Sequence, residues 1–109
     1  MTSDIILRQL VLGLRRIYGD LLDSIILYGS TACGTHTNDS DVDVAILLHP
    51  GATKEMREQR LELLVDLELA CGKVLSALCI DYEKFSEWED VLPFYQNIRR
   101  EGVVLWQAA

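Results

Sequence analysis

Leu27-Tyr28-Gly29-Ser30-Thr31-Ala32-Cys33-Gly34-Thr35-His36-Thr37-Asn38-Asp39-Ser40-Asp41-Val42-Asp43-Val44-Ala45-Ile46 decides how the chain reads. An apolar strand runs into a Gly-Ser turn, a polar loop follows, and a second strand carries two aspartates one residue apart. Strand side chains alternate between faces, so Asp41 and Asp43 are expected on one side and Val42, Val44 and Ile46 in a core. Aspartate is a poor strand former, so two on one face need a reason. Neighbouring carboxylates repel unless a cation sits between them, and Mg²⁺ prefers carboxylate oxygen. Backbone N–H groups at Gly29-Ser30, with the Ser30 hydroxyl, suit a phosphate chain. Together these features suit a metal-bridged nucleoside triphosphate.

The segments on either side supply the rest of an α/β pattern. Ser3 can cap a first helix in which Ile6, Leu7, Leu10, Leu14 and Ile17 recur at helical spacing, with Gly19 at its end. Asp23 to Tyr28 reads as the first strand, and about Asp41 to Leu48 as the second, stopped by Pro50-Gly51. Thr53 can cap the next helix and Gly72 can end it. Its Glu55, Glu58, Gln59, Glu62 and Asp66 gather on one side, and Leu61, Leu63, Leu64, Val65 and Leu67 are expected to pack on a sheet. Glu68 falls on the apolar side and reads as a helix-end residue reaching to water. Val74 to Ile80 is a short third strand. Ser86-Glu87-Trp88-Glu89 has the form of a capping box, and Pro93 suits the start of a last helix closed by Gly102. Val103 to Trp106 reads as a final strand or an extended tail. Trp88, Phe94, Tyr95 and Trp106 are expected to cover the sheet, the other reading being a partner-binding face. The expected fold is α/β (α+β): one domain over residues 1–109, with helices packed on a small mixed sheet.

The joined motif Gly29-Ser30-Thr31-Ala32-Cys33-Gly34 and Ser40-Asp41-Val42-Asp43 resembles the signature of the minimal nucleotidyltransferases of the DNA polymerase beta superfamily. That signature is Gly-Ser-x-Ala-Arg-Gly, a spacer, then Ser-Asp-x-Asp. The order of elements and the closing Tyr95 to Leu105 are also similar to that family, including its MntA-like antitoxins. The resemblance implies that Gly29 and Ser30 grip the terminal phosphates, with Ser40 orienting the metal strand. It implies that Asp41 and Asp43 hold two Mg²⁺ ions bridging those phosphates, and that ATP donates AMP to a hydroxyl. In a two-metal site the ions lie roughly 3.5–4 Å apart. It further implies a small helical partner of the HEPN type, with this chain as the antitoxin. Two departures stand out. Cys33 occupies the place of the family's arginine, so a cation is missing there. The third strand has no interior acid, so the third carboxylate is either Asp81 at its end or absent, Asp81 then being a loop acid. The rival readings are a nucleotide-binding subunit that acts by covering its partner, and an antibiotic-modifying transferase.

Composition bounds these readings. The 109 residues carry a net charge of −7, which argues against a nucleic-acid surface but not against a nucleotide whose charge is met by metal. No apolar run approaches membrane-spanning length, and the start lacks a basic signal region. The three cysteines, Cys33, Cys71 and Cys79, show no Cys-x-x-Cys spacing and suit reduced thiols in a cytosol. His36 reads as a solvated loop histidine, Asp39 as a loop acid, and His49 as structural.

Overall fold

A computed structural model describes residues 3–28 and 42–108. Helix α1 (Ser3–Tyr18) is followed by a short 3-10 turn, Gly19–Leu21, and strand β1 (Leu22–Tyr28). Strand β2 (Val42–Leu48) and helix α2 (Lys54–Cys71) lead to strand β3 (Leu75–Asp81). Helices α3 (Tyr82–Trp88) and α4 (Pro93–Glu101) precede strand β4 (Val103–Gln107). The strands form one mixed sheet in the order β3-β2-β1-β4. β1 runs antiparallel to both β2 and β4, and β2 runs parallel to β3 across the α2 crossover. The expected mixed sheet with packed helices is what forms.

Local chemistry explains the boundaries. Thr53 caps α2 by accepting from the Met56 N–H, and Gly72 ends it in the left-handed region at φ 71°. Pro93 opens α4, where a missing N–H costs nothing. Gly102 follows α4 with ordinary φ, and what it needs is closeness: a Cβ there would meet the Ile98 carbonyl oxygen and Ile26 Cγ2. The Ser86 capping box does not form. Ser86, Glu87 and Trp88 are the last turn of α3, and the cap of that helix is Asp81. Val103 to Trp106 lies within a true strand, paired to β1.

The sheet separates two cores. On one face, α1 and α2 pack Ile6, Leu10, Leu14, Leu64 and Leu67 against Ile25, Leu27, Val44, Ile46 and Leu75. On the other, Phe85 of α3 and Ile98 of α4 close over Ile26, Ala45, Leu47 and Ile80. Arg60 ties the first layer together: its Nη1 donates to the Tyr18 hydroxyl at 2.9 Å and to Cys79 Sγ at 2.7 Å. Burial raises the pKa of both the Tyr18 phenol and the Cys79 thiol. Glu68 is partly buried, and its Oε1 accepts the Leu75 N–H at 2.9 Å, on the outer edge of the sheet. Of the four C-terminal aromatics, Tyr95 packs on the second core and Trp106 on the first. Trp88 and Phe94 stay exposed, in contrast to the expected sheet cover.

Candidate functional site

The first strand delivers its last residue, Tyr28, to the end of the sheet, and Gly29-Ser30 follow it in sequence. Tyr28 pairs directly with Asp43, the second residue of β2. Asp43 alternates in step with Ala45 and Leu47, and Tyr28 with Ile26, so both project onto the face carrying α3 and α4. Asp43 is half-buried there. Burial, and secondly the negative charge of Asp43, raise the Tyr28 phenol pKa above its usual range. The carboxylate therefore sits close enough for its charge to be felt by the phenol. The Tyr28 ring also meets Phe94 edge-on, with centroids 5.7 Å apart. Beside it, Phe94, Asn97, Ile98 and Glu101, one stripe of α4, line a cleft of roughly 180 Å³.

Gly29, Ser30, Ser40 and Asp41 lie outside the described residues, as do Cys33, His36 and Asp39. Asp43 is described, and so is Asp81. The structure does not bring those two together. Across the parallel pairing, Asp43 faces Ser76, whereas Asp81 faces Leu48. Five residues of strand separate Ser76 from Asp81, about 16 Å along the sheet, and an odd number also turns the side chain to the opposite face. The Asp81 carboxylate is engaged elsewhere: its Oδ1 accepts the Glu83 N–H at 2.8 Å and the Lys84 N–H at 3.4 Å, capping α3. The structure thus places Asp81 as the cap of α3, away from Asp43, and the β3 side chain in register with Asp43 is a serine. Among the described residues no three His, Cys, Asp or Glu side chains gather into a metal-holding group.

His49 also lies far from the motif end. Its Nε2 is 3.4 Å from Asp23 Oδ1 and its ring packs on Tyr82 at 4.8 Å, which is a structural role. Sequence reading missed Tyr28, Ser76 and the α4 stripe. Tyr28 could have been found as the residue that ends β1 directly before Gly29. Ser76 needed the strand register.

The donor set at Asp43 suits a hard cation. Its partly buried carboxylate places a negative charge beside a phenol, and oxygen donors of this kind are what Mg²⁺ prefers.

Comparison with known proteins places this geometry. Residues 7–102 match the family model of the nucleotidyltransferase domain. A protein of Methanocaldococcus jannaschii, described as a candidate protein adenylyltransferase, is 28% identical over 109 residues, covering 97% of this chain and 100% of its own. A chain of a toxin–antitoxin complex crystallised with AMP-PNP shares the fold with a TM-score of 0.57. It is 24% identical, over 91% of this chain and 72% of that one. The complex of a tri-AMPylated HEPN toxin of Shewanella oneidensis with an MNT antitoxin also has a matching chain, at TM-score 0.57 and 18% identity. That match covers 98% of this chain and 74% of the other. At these identities the structural likeness is one of fold. The match to the family model spans most of the sequence, and the chain belongs to the nucleotidyltransferase domain family.

Proposed function

We propose that the chain transfers a nucleoside monophosphate, AMP from ATP, to a hydroxyl on a small helical protein partner of the HEPN type. The observation that carries this reading is the pairing of Tyr28 with Asp43. It sets the metal-strand carboxylate beside the strand end that opens into Gly29-Ser30. Gly29 and Ser30 would hold the terminal phosphates through backbone N–H groups and a hydroxyl. Asp43 and Asp41 would hold Mg²⁺, with Ser40 orienting their strand. Bound there, Mg²⁺ would neutralise phosphate charge and stabilise both the entering and leaving oxygens. The acceptor oxygen attacks the α-phosphorus in line. Its bond to phosphorus forms as the bond to the pyrophosphate oxygen breaks, pyrophosphate leaves, and the hydroxyl proton passes to solvent water. The HEPN partner is supported by likeness to a complex of an MNT antitoxin with an AMPylated HEPN toxin.

A second reading has its own observation. Ser76 stands in register with Asp43, and Asp81 is occupied as a cap, so β3 supplies no acid at that level. Without a base for the acceptor, the chain would bind Mg-ATP and work by covering its partner. The two readings separate when the chain is incubated with Mg²⁺, ATP labelled in its α-phosphate, and the protein encoded next to it. Transfer predicts label on the partner, absent with Asp43→Asn. No label on any protein, with Mg-dependent ATP binding intact, would overturn transfer in favour of the binding subunit.

A further inference from the structure

Helix α2 is apolar on two sides. Leu64 and Leu67 are buried against the sheet, yet Leu61, Val65 and Leu69 are 48%, 51% and 79% exposed. Spaced four residues apart, these three form one exposed stripe on the side of α2 across from Leu63, the residue that faces α1. Glu58, Glu62 and Asp66, all exposed, flank that stripe. Helix α1 carries the opposite charge beside it. From Ile5 to Tyr18 it has three arginines and no acid, in a chain of net charge −7. Leu12, 52% exposed, sits on its outward side with Arg8, Arg15 and Arg16 around it. The two helices lie against each other, close enough that a Cβ on Gly13 would come within 2.6 Å of Leu63 Cδ2. The ion pairs of Asp23 with His49 and of Glu89 with Arg99 lie elsewhere.

We propose that this α1–α2 face is where a second copy of the chain docks, in a two-fold pairing that sets α1 of each copy against α2 of the other. Both charge signs occur on one face, so the face is complementary to itself, as an isologous interface requires. The spacing agrees: Arg8 to Arg16 and Glu58 to Asp66 each span eight residues, about 12 Å along a helix. Val65 and Leu69 then meet Leu12 of the other copy beside the ion pairs. Helices of 16 and 18 residues lying side by side offer a footprint of roughly 20 by 25 Å. That suits a small interface, of micromolar affinity and sensitive to salt. Asp43 projects from the opposite face of the sheet, so the pairing leaves the motif end open.

Sedimentation of the whole chain tests this, at concentrations from well below to on the order of 100 µM, above a micromolar Kd. The expected result is a species of twice the monomer mass that dissociates on dilution and in high salt. Val65→Glu, at an exposed helical position, should leave the circular dichroism unchanged and weaken association by roughly 30-fold or more, a hot-spot loss. Arg8→Glu with Arg16→Glu should give a monomer, and adding Glu58→Arg with Asp66→Arg should restore the dimer. A monomer at every concentration would overturn the proposal. So would a dimer indifferent to Val65→Glu, or a reversal that the second pair fails to rescue.

Discussion

Asp81→Ala removes the carboxylate that accepts the Glu83 N–H at 2.8 Å and the Lys84 N–H at 3.4 Å. Losing an N-cap of this kind costs about 0.5–2 kcal/mol, typically near 1. The longer contact adds little, so about 1 kcal/mol is the working figure. Helix α3 has only seven residues, and it carries Phe85, 1% exposed, into the second core. A short helix has few other bonds to spread the loss over, so the cap should report on global unfolding. In a domain of this size 1 kcal/mol corresponds to a fall in Tm of about 4–8 °C. Asparagine caps as well as aspartate, so Asp81→Asn should melt close to the parent. The assay is thermal unfolding by circular dichroism, paired with transfer of label from ATP. Both variants should transfer as the parent does once folded. An Asp81→Ala protein that melts as the parent does would refute the capping account, and an Asp81→Asn protein that keeps its Tm but loses transfer would refute a role in capping alone and return Asp81 to the chemistry.

Three further outcomes follow from the packing. Gly102→Ala should destabilise by about 1–3 kcal/mol, because its Cβ meets the Ile98 backbone carbonyl as well as Ile26; an unchanged denaturant midpoint would contradict it. Glu68→Ala should cost about 1–2 kcal/mol by leaving the Leu75 N–H without its acceptor, while Glu68→Gln, which keeps an acceptor oxygen, should cost less. Tyr18, Tyr28 and Cys79 all have pKa values raised by burial. The unfolded chain therefore releases these protons first. Stability should hold below the ordinary thiol and phenol values of 9.0 and 10.0 and be lost as pH rises through the higher folded values. An alkaline melting series that stays flat across that window would contradict the assignment.

Much of the fold was legible because its signals are local. Thr53, Gly72, Pro93 and Gly102 mark helix ends by their own backbone chemistry, and the alternation from Val42 to Ile46 marks a strand with one face in a core. Signals that depend on distant partners were not legible. Ser86-Glu87-Trp88-Glu89 fits a capping box by spacing, but Asp81 starts that helix five residues earlier, so the serine falls in its last turn. Apolar residues run round much of α2, so periodicity could not say that Leu64 and Leu67 face the sheet while Leu61 and Val65 face outward. Glu68 looked misplaced because its acceptor role depends on the edge of β3. At the candidate site, the place of Asp43 on the face of β2 opposite Val42, Val44 and Ile46 was readable from the alternation. That Ser76, and not Asp81, stands across from it is a matter of register, which no stretch of β3 encodes alone.

The central claim is a magnesium-dependent nucleotide site organised on Asp43, and calorimetric titration of ATP tests it most directly. The titration is run into the parent chain with and without Mg²⁺, and into Asp43→Asn with Mg²⁺. Asp43 is half-buried at the end of the sheet, so the variant should fold as the parent does. The account predicts binding by the parent only when Mg²⁺ is present, and its loss in the variant with unchanged circular dichroism. Binding of Mg-ATP by Asp43→Asn as tightly as by the parent would contradict it.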